Sequence, residues 1–410
     1  MRLALPSRER WEELRHNPNV IVFVVLALLA LGIGPVVGLV SGPDQIGPYL
    51  YRAGTAGVFV LMAIGLNVVV GFAGLLDLGY AAFFAIGAYT YGLLASTELS
   101  TSPIHHPVHI TFWAVIFIAL AVAAASGAIL GFPTLRLRGD YLAIVTLGFG
   151  EIVPRVFRNL SDWTGGVNGI TNTDSPAVPL WIDTPFAGLN WQVHLDFKHP
   201  FLFGLDPVPF FIVILVLVLL SAIFASNIYN SRLGRAWMAI REDEVAAAAM
   251  GVNTRNTKLL AFGIGASFSG FAGAFYAAQV TLVSPDNFGF LISVTILVMV
   301  VLGGMGNVAG VMVGALIIFV VQQLVLPTWL PNGLTALADS FGLSSITASN
   351  PPNWPGLHDE IVRLNFFLFG MVLVLIMLLR PQGLIPSRLR AQELIGEGTT
   401  DEAVFDARTT

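Results

Sequence analysis

The feature that most constrains this chain is a series of apolar runs, each long enough to cross a lipid bilayer. A membrane-spanning helix needs roughly 20 apolar residues. Only 11% of the 410 residues are charged, against about 25% in average soluble chains, so lipid must solvate much of the surface. The sequence predicts an all-α polytopic membrane protein with about ten transmembrane helices, near residues 20–40, 54–71, 75–95, 110–131, 141–158, 208–226, 258–279, 288–303, 308–326 and 364–380. The second and third runs nearly touch and the eighth is short, which indicates that one of them is broken or re-entrant.

The positions of Lys and Arg predict how the chain is oriented. With the N-terminus inside and ten crossings, the chain is N-in/C-in, and only five of its 20 Lys and Arg residues lie outside: Arg52, Arg155, Arg158, Lys198 and Arg363. This inside excess agrees with the positive-inside rule. The expected organisation is a cytoplasmic N-terminal tail (1–19), a transmembrane domain (20–385) and a disordered cytoplasmic tail (386–410). The transmembrane domain contains an inner loop (227–257) and two outer loops (159–207 and 327–363).

Several classes of protein lack the residues that they would need. Neither of the two lysines follows a glycine, so the chain has no phosphate-binding Gly-Lys-Ser/Thr loop. It has no cysteine, which excludes thiolate metal sites and thiol nucleophiles. His105, His106 and His109 cluster in an outer segment, where a solvated loop is favoured over a metal site. The basic residues follow the inner membrane face, so we expect no nucleic-acid partner, no cofactor and no catalytic residue.

The inner loop contains the stretch "GRAWMAIREDEVAAAAMGVN" (234–253), which predicts two short helices. Asp243 can cap the second helix through its carboxylate, and Glu244 lies near the positive helix end. The alanines that follow favour a helix. Gly251 suits the left-handed position after the last turn. The second helix therefore has a predicted start, body and stop.

Four stretches in order resemble one family, the LivM-like permease subunits of branched-chain amino acid ABC importers. They are "GLNVVVGFAGLLDLGYAAFFAIGAYTYGLLA" (65–95), "RLRGDYLAIVTLGFGEIVPRVFRN" (136–159) with "GGVNGI" (165–170), the inner-loop stretch with its continuation (234–277), and "VLGGMGNVAGVMVGA" (301–315) with "RPQGL" (380–384). The resemblance implies an ABC importer permease fold in the plasma (inner) membrane of a prokaryote. It also implies four kinds of partner besides the lipid bilayer: a second, LivH-like permease, two cytoplasmic ATPases and an extracytoplasmic substrate-binding protein.

In such importers a permease helix enters a cleft on the ATPase, and its motif is Glu-Ala-Ala, three residues, then Gly. Ala246, Ala247 and Gly251 match this motif, whereas Val245 stands in place of Glu and Glu244 is one position early. Glu244 then either contacts the ATPase or steadies the helix start. The residues expected to couple the chain to an ATPase are Arg235, Arg241, Asp243, Glu244, Ala246, Ala247 and Gly251. The alternative is an amphipathic helix that lies on the lipid headgroups.

Polar residues inside the predicted spans are the candidates for a translocation path. Glu151 and Arg155 are four residues apart on one helix face, and they either line the path or neutralise each other within the bundle. Asn67 and Gln279 are further path candidates, although helix packing is the favoured role for both. The turn "GGVNGI" either contributes to a docking surface for the binding protein or only connects two elements.

Three hypotheses about function can be compared on these residues. The favoured one is an importer permease for branched-chain amino acids, with the same machinery importing urea or short amides as an alternative. An ion-coupled secondary transporter would need ion-coordinating polar groups at mid-membrane. Glu151 gives this hypothesis only weak support. A membrane-embedded enzyme would need clustered His, Asp or Glu near one face, and the sequence shows no such cluster.

Overall fold

The computed structural model describes residues 22–23, 25–26, 46–96, 103, 110–134, 140–171, 173, 207–341, 356–379 and 383–385. Five sequence predictions fall wholly or mostly outside these residues. They are the N-terminal tail (1–19), the first span (20–40), the cluster of His105, His106 and His109, most of the outer loop 159–207, and the C-terminal tail (386–410).

The described chain is almost entirely helical and divides into two compact units, Met1–Leu297 and Val298–Thr410. The helices of the first unit are α1 (Ile46–Leu66), which continues as a π-helix (Asn67–Phe72), α2 (Tyr80–Leu94), α3 (Phe112–Thr134), α4 (Asp140–Asn159), α5 (Ser161–Thr164), α6 (Pro207–Tyr229), α7 (Arg232–Glu242), α8 (Glu244–Ala249) and α9 (Thr254–Val280). Two short strands, β1 (Ile170–Thr171) and β2 (Leu282–Val283), pair antiparallel. Two 3₁₀ turns, Gly166–Asn168 and Pro285–Phe288, flank the strands.

The next helices are α10 (Phe290–Gly303), which runs from one unit into the other, α11 (Val308–Val320), a π-helix (Val321–Trp329), α12 (Leu330–Ser340), α13 (Leu357–Arg363) and α14 (Asn365–Leu379). Within the described residues, six helical stretches are long and apolar enough to cross a membrane: Gly47–Phe72, Phe112–Thr134, Phe210–Tyr229, Thr254–Val280, Pro285–Gly303 and Val308–Ser340. Every predicted span within the described residues contains a helix, which confirms a polytopic membrane protein.

The helix α9 lies at the centre of the first unit and packs closely against α2, α3 and α1. Glycines allow this close approach. A Cβ on Gly87 of α2 would lie 2.1 Å from the carbonyl oxygen of Gly270, and a Cβ on Gly273 would lie 2.2 Å from that of Phe84. Small residues at such contacts let membrane helices pack backbone to backbone. The high glycine content of the chain is used here for packing.

The third predicted span, 75–95, is only partly helical. The helix α2 begins at Tyr80 and has 15 residues, about 22 Å at 1.5 Å per residue, which is short of a ~30 Å hydrocarbon core. Side chains hold the backbone around this start: the N–H of Leu78, in the non-helical segment, donates to Thr146 Oγ1, and that of Ala81, in the first turn of α2, donates to Ser293 Oγ. Irregular backbone in a membrane protein needs such internal partners. The apolar run 75–95 is therefore broken by a non-helical segment.

In the second unit, the helix predicted over 308–326 extends beyond the apolar run. The helix continues through a π-helical segment, which contains Pro327, and α12 ends at Ser340. Proline has no N–H to donate, and a π-helical segment changes the local hydrogen-bond pattern that such a residue interrupts. The first part of the predicted outer segment 327–363 is therefore helical, and its position outside the membrane stays a prediction.

Candidate functional site

The two loop helices, α7 and α8, form as the residues predict. Ser231 Oγ accepts hydrogen bonds from the backbone N–H groups of Leu233 and Gly234, which caps α7. Asp243 Oδ1 accepts from Val245 N at 2.8 Å and from Ala246 N at 3.0 Å, which caps α8. Gly251 has a φ of +87° after the last turn. The predicted start and stop of the second helix are confirmed.

Two side chains of α7 hold it against the membrane helices. Trp237 is fully buried and its Nε1 donates to the carbonyl oxygen of Thr257 at 2.7 Å, at the start of α9. Arg241 Nη1 donates at 2.7 Å to the carbonyl oxygen of Gly71, at the end of the π-helix that follows α1. The loop helices are therefore attached to two different membrane helices. Arg235 makes a local contact, from Nη1 to the carbonyl oxygen of Asn230 at 3.0 Å.

The Glu244 carboxylate forms an ion pair with Lys258, with 2.7 Å between Oε1 and Nζ. Only 9% of the Lys258 side chain is exposed and 32% of the Glu244 side chain, so water screens this pair much less than a surface pair. The pair joins the first residue of α8 to the first turns of α9. Glu244 also lies at the positive end of α8, which favours its charge.

The alanines of α8 do not all face the same way. Ala247 is buried, whereas Val245, Ala246, Ala248, Ala249 and Met250 are exposed. The fractions exposed for Val245 and Met250 are 69% and 85%. Ala247, which matches the coupling motif, thus faces the chain itself. The face that is free to meet another protein is formed by its neighbours.

Glu151 and Arg155 on α4 form the ion pair that their spacing predicts, with 3.1 Å between Oε2 and Nη2. The pair is not enclosed by the first unit, since 42% of the Glu151 side chain and 72% of the Arg155 side chain are exposed. The two charges neutralise each other on a partly exposed face of the helix, and the path role stays a prediction.

Asn67 and Gln279, the other two path candidates, are buried inside the chain's own helices. Gln279 Nε2 donates to the carbonyl oxygen of Tyr51 at 2.9 Å and so joins α9 to α1. Asn67 begins the π-helical segment after α1 and is fully buried. These positions favour the packing role for both residues. Asp77 and Asn307 cap backbone N–H groups, those of Gly79 and Ala309.

The stretch "GGVNGI" belongs to a compact turn platform, formed by residues 158–171 and 282–288. Gly165, Gly166 and Gly169 all have positive φ angles, a region that glycine enters without a steric penalty. Ile170 pairs with Val283 across the two strands, and Arg158 forms an ion pair with Asp286. The predicted tight turn is confirmed.

Sequence reasoning missed Trp237 and Lys258 as anchors of the loop helices. A signal for each was present. Trp237 is a large aromatic residue in a polar loop, and Lys258 is one of only two lysines, placed where an apolar helix begins. Buried aromatics and cations at such positions usually have a specific partner.

Comparison with known proteins now adds the family. The model of a family described as "Branched-chain amino acid transport system / permease component" matches residues 49–378. The chain belongs to this family. It is 38% identical over 352 residues to the high-affinity branched-chain amino acid transport system permease protein LivM of Escherichia coli, covering 83% of this chain and 72% of that one. It is also 38% identical over 331 residues to LivM of Salmonella typhimurium, covering 80% of this chain and 68% of that one.

A shorter match links the chain to a second kind of permease. LivH of Salmonella typhimurium is 36% identical over 94 residues, which are 23% of this chain and 30% of LivH. No solved structure matches the chain. The LivM-like resemblance that the four motifs indicated is confirmed.

Proposed function

We propose that the chain is the permease subunit of an ATP-driven importer of branched-chain amino acids. It forms half of the translocation path and lies with about ten crossings, N-in/C-in, in the cytoplasmic membrane of a prokaryote. Hydrolysis of ATP belongs to separate cytoplasmic subunits, so this chain carries no catalytic residue. Support comes from the family match over residues 49–378 and from the LivM relatives.

The observation that carries the proposal is the geometry of α7 and α8. In this proposal α8 enters a cleft on an ATPase with its exposed face, which has four small or medium side chains at positions 245, 246, 248 and 249. Small side chains lose little entropy when they are buried in a partner. Ala247, on the opposite face, holds α8 against the chain.

The anchors of the loop helices support a coupling role over a helix that lies on headgroups. A helix bound only to the membrane surface needs no attachment to the transmembrane helices. Here Trp237 and the Glu244–Lys258 pair join the loop to α9, and Arg241 joins it to the segment after α1. Movement of α8 by an ATPase would thus act directly on these two helices. Arg235 and Asp243 contribute by shaping the loop, and Gly251 ends α8.

The partners in this proposal are a second, LivH-like permease, two ATPases and an extracytoplasmic binding protein. The match to LivH supports a pair of related permeases, with the path between them. The turn platform is proposed as the docking surface for the binding protein, because its glycine turns and strand pairing give it a defined shape while Val167 and Leu160 remain exposed.

Uptake into sealed vesicles tests the proposal. The reconstituted complex should import leucine only when ATP reaches the ATPases. Uptake driven instead by an ion gradient would favour the secondary transporter. Calorimetry on the partner binding protein tests the substrate: binding of urea without binding of leucine would replace branched-chain amino acids by the urea and amide alternative.

A further inference from the structure

The helix α4 presents a long face that nothing in the described part of the first unit covers. Its exposed side chains recur every three or four residues, as one helix face requires: Tyr141, Ile144, Val145, Ile152 and Val156. A Cβ on Gly148, in the middle of this face, would meet no atom within 4 Å. The Glu151–Arg155 ion pair lies on the same side of the helix.

The exposed faces of α3 and α6 are different. Neither helix contains a charged residue. Their large exposed apolar side chains are Phe117, Ile118, Val122, Ile129 and Phe132 on α3, and Ile212, Val216, Leu220, Ile223 and Phe224 on α6. Such faces suit lipid. Charged groups within a membrane helix instead face a protein partner or a water-filled cavity.

The depth of the pair supports this difference. Glu151 is eight residues before the end of α4 at Asn159 and Arg155 is four, which places them ~12 Å and ~6 Å from that end at 1.5 Å per residue. Although the stem of Arg155 is long enough to reach the membrane surface, its guanidinium group is bound to Glu151 instead. The shorter Glu151 side chain cannot cover its larger distance, so its carboxylate needs polar surroundings on the α4 face itself.

We propose that this face of α4 is the chain's half of a substrate site, and that Glu151 and Arg155 separate to bind the α-ammonium and α-carboxylate groups of a zwitterionic amino acid. This inference rests on the proposed importer function and names the chemistry of its substrate site. The guanidinium group of Arg155 matches a carboxylate in shape and charge. Ile144 and Ile152 provide apolar contacts for a branched side chain.

The exchange leaves no charge unpaired at membrane depth. The Glu151–Arg155 pair is neutral, and so is the amino acid. When the pair opens, each of its charges passes from one opposite charge to another, which avoids the large cost of an isolated ion. Urea or a short amide has no charges to offer, so it would leave both side chains without partners. The site therefore selects zwitterions over uncharged substrates.

Single-cysteine labelling tests the site, because the chain has no cysteine of its own. The complete importer, with either Ile152→Cys or Ile223→Cys, is placed in lipid nanodiscs and treated with a water-soluble maleimide. These isoleucines are matched, at 57% and 53% exposed, but lie on α4 and α6. We expect the Ile152→Cys variant to react with the maleimide at least about tenfold faster than the Ile223→Cys variant. Leucine, added together with leucine-loaded binding protein, should slow only the reaction of the Ile152→Cys variant. When Glu151→Gln or Arg155→Gln is combined with Ile152→Cys, about tenfold more leucine should be needed to protect the thiol from the maleimide, as expected for one lost charged contact.

The possible outcomes separate this site from the proposed function. Equal, slow labelling of the two variants, or unchanged leucine protection when both Glu151 and Arg155 are replaced by Gln, would overturn the site. If wild-type vesicles still take up leucine with ATP, the importer function stands without it. Absence of ATP-dependent uptake by the wild-type complex would instead remove the function itself.

Discussion

The loop helices and the turn platform lie at opposite ends of α9, and they are attached to it in different ways. The 27 residues of α9 separate them by ~40 Å at 1.5 Å per residue. At one end, side chains make the attachment, through Trp237 and the Glu244–Lys258 pair. At the other end, backbone makes it, through the pairing of β1 with β2, which directly follows α9.

Because of this difference, the two ends of α9 should tolerate added side-chain atoms to different degrees. Gly169 of the turn platform has a φ of +69°, and a Cβ there would lie 2.1 Å from the carbonyl oxygen of Val283. Gly251 after α8 also has a positive φ, but a Cβ there would meet nothing within 4 Å. The turn platform is closed to added atoms, whereas the loop helices leave space around α8 that a partner protein can fill.

The largest effect is expected from a bulky residue on the exposed face of α8. Ala248→Trp should leave the chain stable, since residue 248 is exposed, but prevent α8 from entering an ATPase cleft and reduce uptake to background. Copurification of the ATPases with the chain measures this. Ala121→Trp, at an exposed alanine of α3, is the control and should retain the ATPases. Full ATPase recovery with Ala248→Trp would contradict the assigned docking face.

Ala247 provides a contrast on the opposite face of the same helix. Because Ala247 is 5% exposed, Ala247→Trp should lower the thermal stability of the chain itself, as overpacking usually costs about 1–3 kcal/mol. A melting curve of the purified chain, compared with that of Ala248→Trp, checks the prediction. Equal melting temperatures for the two variants would mean that α8 does not pack as described.

At the turn platform, Gly169→Ala should lower the free energy of unfolding by more than the ~1–2 kcal/mol expected for a non-glycine residue with a positive φ. The loss is larger because the added Cβ also clashes with backbone. We expect reduced uptake with the binding protein but normal recovery of the ATPases. Gly251→Ala is the matched control with a positive φ and open space, and its effect should stay near ~1–2 kcal/mol. If Gly251→Ala proves as damaging as Gly169→Ala, the contrast between the two ends fails.

The smallest effect on uptake is expected from the ion pair between α8 and α9, because its loss leaves the exposed face of α8 unchanged. Removing one partner lowers folding stability by ~3–5 kcal/mol for a fully buried pair and by ~0–1 kcal/mol for an exposed one. For this partly buried pair, a loss of stability of about 2 kcal/mol is expected. Glu244→Gln and Lys258→Met should each lower the amount of leucine imported per ATP hydrolysed. The double variant should lose less than the sum, which a double-mutant cycle measures. Additive losses would show that the two side chains act independently.

The sequence predicted elements whose signals are local. Asp243 and Gly251 mark the ends of α8 because caps and left-handed turns act within a few residues. Apolar runs located the membrane helices for the same reason. The boundaries were missed where tertiary contacts decide them: α2 begins late, at Tyr80, because Thr146 holds the preceding backbone at Leu78.

Contacts between distant parts of the chain could not be predicted from the residues alone. The partner of Glu244 is Lys258, 14 positions away, and nothing local indicates that the two helices meet. Which alanine of α8 faces inward likewise depends on how α7 is held by Trp237 and Arg241. The Glu151–Arg155 pair was predictable because its members lie on one helix, but its exposure depends on what packs around α4.

Site-specific crosslinking shows whether the exposed face of α8 enters an ATPase. Ala248→Cys and, at the exposed Asn168 of the turn platform, Asn168→Cys each give a chain with one thiol, since the native chain has none. In vesicles with the complete importer, a short photoactivatable crosslinker on the thiol should join the Ala248→Cys chain to the ATPase and leave the Asn168→Cys chain unattached to it. A crosslink to lipid alone from position 248, with the ATPases bound and uptake intact, would contradict the account.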